Sequence, residues 1–160
     1  MSLRIEPATP ADVPTILQLI RELAEFERLL HEVVASDVDV HEALFGARPV
    51  AEAVLGRVDG DVAGFALFFH NYSTFRGRPG LYLEDLYVRP QYRARGYGRA
   101  LLTHLARLAV QRRCARMEWA VLDWNAGAIE FYESLGARPV DGWTVYRLTD
   151  EALLQAAGAG

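Results

Sequence analysis

Apolar residues recur at Val13, Ile16, Leu17, Ile20, Leu23 and Ala24, a 3.6-residue period that predicts an amphipathic helix. The same period returns at Leu101, Leu102, Leu105, Leu108 and Ala109 and predicts a second long helix, beginning near Gly98. Between them the pattern shifts to runs rich in β-branched and aromatic residues at 50–58, 62–70 and 81–88, which predict strands. Asp59-Gly60 between the first two runs predicts a hairpin, and Pro90 ends the third because proline has no N–H for a ladder. The stretch 71–80 (NYSTFRGRPG) reads as a turn-rich loop. Residues 3–6 predict a short first strand. Thr9-Pro10-Ala11-Asp12 supplies an N-cap, a proline at the first helical position and an acid three residues after the cap. A shorter helix is expected over 36–45, stopped by Gly46, a strand over 115–122, and a helix over 125–135 capped by Asn125 and Gly136. A last strand is expected over 140–148 and a short helix near 150–156, ahead of a frayed Gly-Ala-Gly end. This order predicts one α/β domain spanning 1–160, around a mixed sheet. The strands at 81–88 and 115–122 run parallel in it, because a helix connects them.

The strand at 81–88 runs into Arg93-Ala94-Arg95-Gly96-Tyr97-Gly98, an R-x-x-G-x-G turn that opens the second long helix. A helix N-terminus presents free N–H groups and the positive end of its dipole, which suits a phosphate. Glycines let the backbone approach it, and Arg93, Arg95 and Arg99 add charge and forked donors. A Walker loop is excluded, since the chain has no Gly-Lys-Ser/Thr and no lysine. A dinucleotide G-x-G-x-x-G fails at Leu101, although Glu118 lies about 20 residues on, where a ribose-binding acid is expected. The turn matches the Q/R-x-x-G-x-G/A pattern of an acyl-CoA cradle.

The 160 residues are 51% hydrophobic, the composition expected of one soluble domain. No apolar run approaches the ~20 residues a membrane span needs, and the N-terminus lacks the apolar core of a signal peptide. One cysteine, Cys114, and four dispersed histidines lead us to expect no disulfide, no metal site and a cytoplasmic setting. A net charge of −4 argues against nucleic acid, while Arg89, Arg93, Arg95 and Arg99 concentrate positive charge at the turn, fitting a small anion.

No G-x-S-x-G elbow exists, and Cys114 has no histidine near it in sequence, so direct transfer between two bound substrates is expected rather than a covalent acyl-enzyme. An amine attacking a thioester must lose a proton, its carbonyl partner needs donors, and the departing thiolate benefits from an acid. Glu84 and Asp85 lie inside the strand that feeds the turn. As neighbours they point to opposite faces, and either one is a base or amine anchor, or else a buried hydrogen-bond partner of a neighbouring strand. Tyr132 lies on the Asn125 helix, where the residues alone favour packing against Ile129 and Leu135.

Six phrases in order, EPATPADVPTIL (6–17), ELAEFE (22–27), YLEDLYV (82–88), YRARGYG (92–98), WNAGAIEFYESLGA (124–137) and DGW (141–143), span nearly the whole chain. Together they resemble the GNAT-superfamily N-acetyltransferases, and within them the spermidine/spermine (diamine) and thialysine N-acetyltransferase group. The resemblance implies a GNAT-type mixed central sheet flanked by helices, its parallel central strands splayed around acetyl-CoA, with no metal. It implies that Leu86, Tyr87 and Val88 meet the pantetheine and polarise the acetyl carbonyl. Arg93, Ala94, Arg95, Gly96, Tyr97, Gly98 and Arg99 then hold the pyrophosphate, and Asn125, Ala126, Gly127 and Ala128 line the CoA arm. Tyr132 becomes the acid for the CoA thiolate and Glu84 the base, through a water. Phe26, Glu27, Asp85, Glu118, Trp119, Ala120 and Asp141 line the amine site of a homodimer whose substrate is a small primary amine (a diamine, polyamine or lysine-like amino acid). A peptide amine or a xenobiotic is an alternative acceptor, and other readings are a non-catalytic acyl-CoA sensor and a nicotinamide-dependent oxidoreductase. The chain departs from the polyamine pattern at Thr74 and Arg76, which stand where an acid and an aromatic hold the cationic amine; an arginine there repels a polycation.

Overall fold

The computed structural model describes residues 2–158 and divides between Leu122 and Asp123 into two compact units. In the first, β1 (Arg4–Pro7), β2 (Glu52–Val58), β3 (Asp61–Ser73), β4 (Arg78–Val88) and β5 (Met117–Glu118) form one sheet in the order β1-β2-β3-β4-β5. Three helices belong to it: α1 (Val13–Phe26), α2 (Asp37–Phe45) and α3 (Tyr97–Gln111). Neighbouring strands are antiparallel except β4 and β5, which are parallel, as their helical connection demands. The result is the α/β mixed sheet that the apolar pattern predicts.

Local chemistry sets the turns. Val58 pairs with Asp61, leaving Asp59 (φ 52) and Gly60 (φ 85) as a two-residue loop with both residues left-handed, the geometry that makes Asp-Gly a hairpin signal. Ser36 and Asp39 cap α2 reciprocally: Ser36 N–H donates to Asp39 Oδ2 at 2.9 Å, and Asp39 N–H donates to Ser36 Oγ at 3.2 Å. Thr9 and Asp12 form the same box ahead of α1, around a 3-10 turn at Pro10–Asp12. Val13, Ile16, Leu17 and Leu19 of α1 and Val40 and Leu44 of α2 pack with Ala53, Leu55, Phe65 and Tyr87 on one face of the sheet. Each such fully buried side chain contributes about 1.5–3 kcal/mol.

Three expectations change. The loop expected at 71–80 is far shorter, because β3 continues to Ser73 and β4 begins at Arg78, leaving residues 74–77 as a hairpin tip. The strand expected at 115–122 shrinks to Met117–Glu118, since β5 pairs with β4 only at Leu81↔Met117 and Tyr82↔Glu118.

The second unit carries α4 (Ala126–Ser134) and α5 (Asp150–Ala156), and Asn125 caps α4 by accepting from Ala128 N–H at 3.2 Å. The third change lies here: residues 140–148 form no strand, and Val140, Trp143, Val145 and Tyr146 are exposed. Alternation makes a segment competent to pair; only a partner edge makes it a strand. The frayed end expected beyond Ala157 falls partly on residues 159–160, outside the described residues. Among the described residues no helix is long and apolar enough to cross a membrane.

Candidate active site

Past Tyr82, β4 keeps its pairing with β3 but has no partner on its β5 side among the described residues. Its second half, including Leu86, Tyr87 and Val88, therefore offers one free edge of backbone donors and acceptors. At the end of that edge the chain turns through Ala94 (φ 61) and Gly96 (φ 79) into α3. A left-handed conformation at Ala94 costs about 1 kcal/mol, which marks the turn as held for a purpose. From Ala94 to Arg99 no backbone N–H finds an acceptor among the described residues. Two causes combine: the left-handed turns carry the chain away from any neighbour, and the first turn of a helix has no internal acceptor. A run of free N–H groups at the positive end of a helix dipole is an anion site. An added Cβ at Gly96 would meet nothing within 4 Å, and at Gly98 only Val88 Cγ2 at 3.9 Å, so the backbone there is open to a ligand.

The arginines divide by role. Arg89 is not free charge at the turn: Nε and Nη2 donate to the two carboxylate oxygens of Glu22 at 3.2 and 3.1 Å, and Nη1 donates to the Val62 carbonyl at 3.1 Å. Arg93 is exposed, its Nε donating to the Val88 carbonyl at 2.9 Å while the guanidinium lies 5.1 Å from the Phe26 ring centre and 5.5 Å from that of Tyr87. It clasps the end of α1 to the end of β4. Arg95 lies over Tyr92, and Arg99 is exposed and meets no carboxylate among the described residues. The positive field of the turn thus comes from Arg93, Arg95, Arg99 and the backbone, with Arg93 held in place by its contacts. The acids of α1 were the sequence signal for the Glu22–Arg89 tie, but nothing in the sequence joins residues 67 positions apart.

Upstream on β4 the register carries a bulge. Leu67 pairs with Asp85 and Phe68 with Leu83, so Glu84 is an extra residue in the ladder. The bulge reverses the parity of the strand. Tyr87 and Asp85, opposite Phe65 and Leu67, join the α1 face, whereas Leu81 and Leu83 belong to the other. The alternation is thus interrupted between Leu83 and Asp85. Burial, with Glu84 and Glu27 beside it, pushes the Asp85 carboxyl up to about 6. Burial also raises Glu27, which sits at the C-cap of α1, the end of a helix dipole that disfavours an anion. A helix end without a basic residue in its last turn, placed beside two strand carboxylates, is a costly arrangement for stability and a good one for a cation.

The remaining candidates are placed as follows. Glu118 accepts from Arg116 Nε at 3.0 Å and Asn71 Nδ2 at 3.4 Å, so part of its charge is already engaged. Trp119 and Ala120 follow β5 in a stretch without regular secondary structure. Thr74 and Arg76 stand on the exposed β3–β4 hairpin tip. Arg78, where β4 begins, is about 20 Å along the strand from Glu84. At more than a Debye length, Arg76 exerts little repulsion on a cation at the Glu27, Glu84 and Asp85 cluster of the same chain. Asn125, Ala126, Gly127, Ala128, Tyr132 and Asp141 belong to the second unit, where Tyr132 is half-buried on α4 with its ring centre 5.5 Å from that of Phe131.

A strand that parts from its parallel neighbour, ends in a donor-lined turn at a helix N-terminus and carries clustered carboxylates defines an enzyme that transfers an acyl group from a CoA thioester. Residues 16–137 match the Acetyltransferase (GNAT) family, and the chain belongs to that family. The match crosses the boundary between the two units. The chain is 40% identical to the mouse (Mus musculus) thialysine N-epsilon-acetyltransferase, covering 98% of each protein. It is 35% identical to an L-ornithine N5-acetyltransferase of Arabidopsis thaliana, over 94% of this chain and 86% of that one. Among solved structures, an integron cassette protein from the V. cholerae mobile metagenome superposes with a TM-score of 0.83 at 25% identity, covering 98% of each chain. The protein is an acetyltransferase, and GNAT acetyltransferases take the acetyl group from acetyl-CoA.

Proposed function

We propose that this enzyme acetylates a primary amine of a small cationic substrate, a diamine or a lysine- or ornithine-like amino acid, by direct attack on acetyl-CoA in a ternary complex. The observation that carries the reading is the sequence of features along β4: the carboxylates of Glu84 and Asp85, with Glu27 of α1 acting on Asp85, then a free strand edge, then a run of N–H groups without an acceptor among the described residues. The relatives acting on thialysine and ornithine support the acceptor class.

In this reading the diphosphate of acetyl-CoA rests on the N–H groups from Ala94 to Arg99, and the thioester lies along the open edge of β4, where backbone N–H groups receive the developing oxyanion. Asp85 and Glu27 hold the substrate ammonium, whose charge offsets the burial and the neighbouring carboxylates that raise Asp85. Glu84 takes the proton through a water, and the free amine attacks the acetyl carbonyl. The C–S bond breaks and Tyr132 protonates the departing thiolate, a role that rests on the likeness of its WNAGAIEFYESLGA motif to the family's. Both units belong to one acetyltransferase domain. A homodimer, a cytoplasmic setting and the absence of a resident metal are part of the same proposal.

Tyr132→Phe tests it. The variant loses the acid but keeps the ring, so kcat falls about 10²–10³-fold while acetyl-CoA affinity, read by calorimetry, stays within about twofold. Unchanged kcat at saturating substrate would leave Tyr132 a packing residue.

A further inference from the structure

One face of the sheet carries a row of polar groups leading away from the carboxylates of β4. Phe69 pairs with Tyr82, Asn71 with Gly80, and Tyr82 with Glu118 of β5, so Phe69, Asn71, Tyr82 and Glu118 share the face on which Asp85 lies. The ring centres of Phe69 and Tyr82 stand 5.1 Å apart. Burial raises the Tyr82 hydroxyl, and the charges of Glu84 and then Glu118 add to it, so Tyr82 feels an acidic pole on either side. The far pole is not a bare carboxylate. Glu118 Oε1 accepts from Arg116 Nε at 3.0 Å and from Asn71 Nδ2 at 3.4 Å. Glu118 Oε2 and both terminal nitrogens of Arg116 are left without a partner among the described residues, on side chains 31% and 46% exposed. Asn71 reaches Glu118 at a cost. Its Oδ1 is buried with no hydrogen-bond partner among the described residues, packed against Gly80, where any Cβ would collide with it.

We infer that the Arg116–Glu118 pair, with Asn71 positioning Glu118, recognises the α-carboxylate and α-ammonium of a diamino acid whose side-chain amine is acetylated at the Asp85 cluster. The inference rests on the amine-acetylation reading above and narrows its acceptor class. An ion pair with a free guanidinium edge and a free carboxylate oxygen is complementary to a zwitterion. The Arg116 fork receives the carboxylate in two hydrogen bonds, and Glu118 Oε2 accepts from the ammonium. The span agrees. Leu67, opposite Asp85, and Phe69, opposite Tyr82, are two residues apart on β3, and Glu118 is one strand further over, so the two poles stand about 8 Å apart. An extended chain of about six bonds covers that distance, the separation of the two nitrogens of lysine. Its methylenes cross the Phe69 and Tyr82 rings, an apolar bridge between polar ends. A diamine gains the Glu118 oxygen but meets the Arg116 charge with no carboxylate to offset it. Arg78, exposed two residues before Gly80 on β4, adds a further cation on that side. Arg116 and Glu118 are an unremarkable pair in the sequence, and only the register of β3, β4 and β5 sets them in line with Asp85.

The test is steady-state kinetics on two matched pairs, lysine with cadaverine and ornithine with putrescine, in wild type, Arg116→Gln and Arg116→Lys. The second amine of each pair lacks only the carboxylate. Wild type should favour the amino acid of the better pair about tenfold or more in kcat/KM. Arg116→Gln should raise KM for that amino acid about tenfold and lower KM for its diamine about threefold, opposite shifts that a purely structural role would not produce. Arg116→Lys should restore part of the preference, since it returns the charge without the fork. The melting temperature should hold in both variants, because a half-exposed ion pair adds little to stability. The same preference in wild type and Arg116→Gln, or a wild type that favours the diamine, would overturn the role of the pair while leaving acetylation of a small amine standing. Turnover with none of the four amines would remove the head-group site and the acceptor class together.

Discussion

Gly98→Val should weaken acetyl-CoA binding about 100-fold or more and leave the fold intact. Gly98 lies in the first turn of α3, where the N–H groups from Ala94 to Arg99 have no acceptor among the described residues. Space exists for the new side chain, since the Cβ meets only Val88 Cγ2 at 3.9 Å, and valine is a slightly better helix residue than glycine. The branched carbons fill the volume through which a diphosphate must approach, so the charge-assisted hydrogen bonds it makes there are lost together, at about 1.5–3 kcal/mol each. Gly96→Val is the poorer probe, because a β-branched residue at φ 79 strains the turn as well as blocking it. Calorimetry of acetyl-CoA beside a thermal melt separates the two effects. Wild-type affinity in Gly98→Val would remove the turn from diphosphate binding.

Asp85→Asn should lower kcat/KM for the amine about 100-fold or more while stabilising the protein above pH 6. The stability sign follows from the carboxyl's position near 6, above its ordinary 3.8. A group raised in this way holds its proton more tightly in the native state. Between 3.8 and about 6 the native protein therefore binds more protons than the unfolded chain, and stability declines as pH rises through that window. Above it, ionised Asp85 destabilises the fold by about 2–3 kcal/mol, and an isosteric neutral amide relieves this. Activity has the opposite dependence, since a charged Asp85 holds the ammonium: wild-type kcat/KM for the amine should fall as pH drops through about 6, and the variant should lose that limb. A less stable Asp85→Asn at pH 8, or an unchanged acid limb, would contradict the assignment.

The parts of the site that were legible in the sequence are those built from local backbone chemistry. R-x-x-G-x-G announces the Arg93–Gly98 turn because left-handed backbone and free N–H groups belong to consecutive residues. Asp59-Gly60 announces its hairpin, and Ser36 and Asn125 their helices, for the same reason. The bulge at Glu84 is set by which residue of β3 lies opposite, so a period-2 reading of YLEDLYV puts Leu83 on the same face as Asp85 and Tyr87, which the structure does not. The four arginines look alike in sequence, yet Arg89 is spent on Glu22 and Arg93 on Val88, Phe26 and Tyr87, contacts that need the sheet to exist first. The brevity of β5 was equally hidden, because residues 115–122 carry ordinary strand composition, and it is the early end of β5 that opens the edge of β4. The 140–148 segment shows the converse, a strand pattern that forms no strand.

The first measurement is CoA-thiol release from acetyl-CoA near pH 8 across thialysine, lysine, ornithine, short diamines, spermidine and aminoglycosides. Turnover is expected with a short cationic diamine or diamino acid, with a single acetylated amine in the product mass and loss of that turnover in Asp85→Asn. Acetyl-CoA binding without thiol release against any of these amines would contradict it.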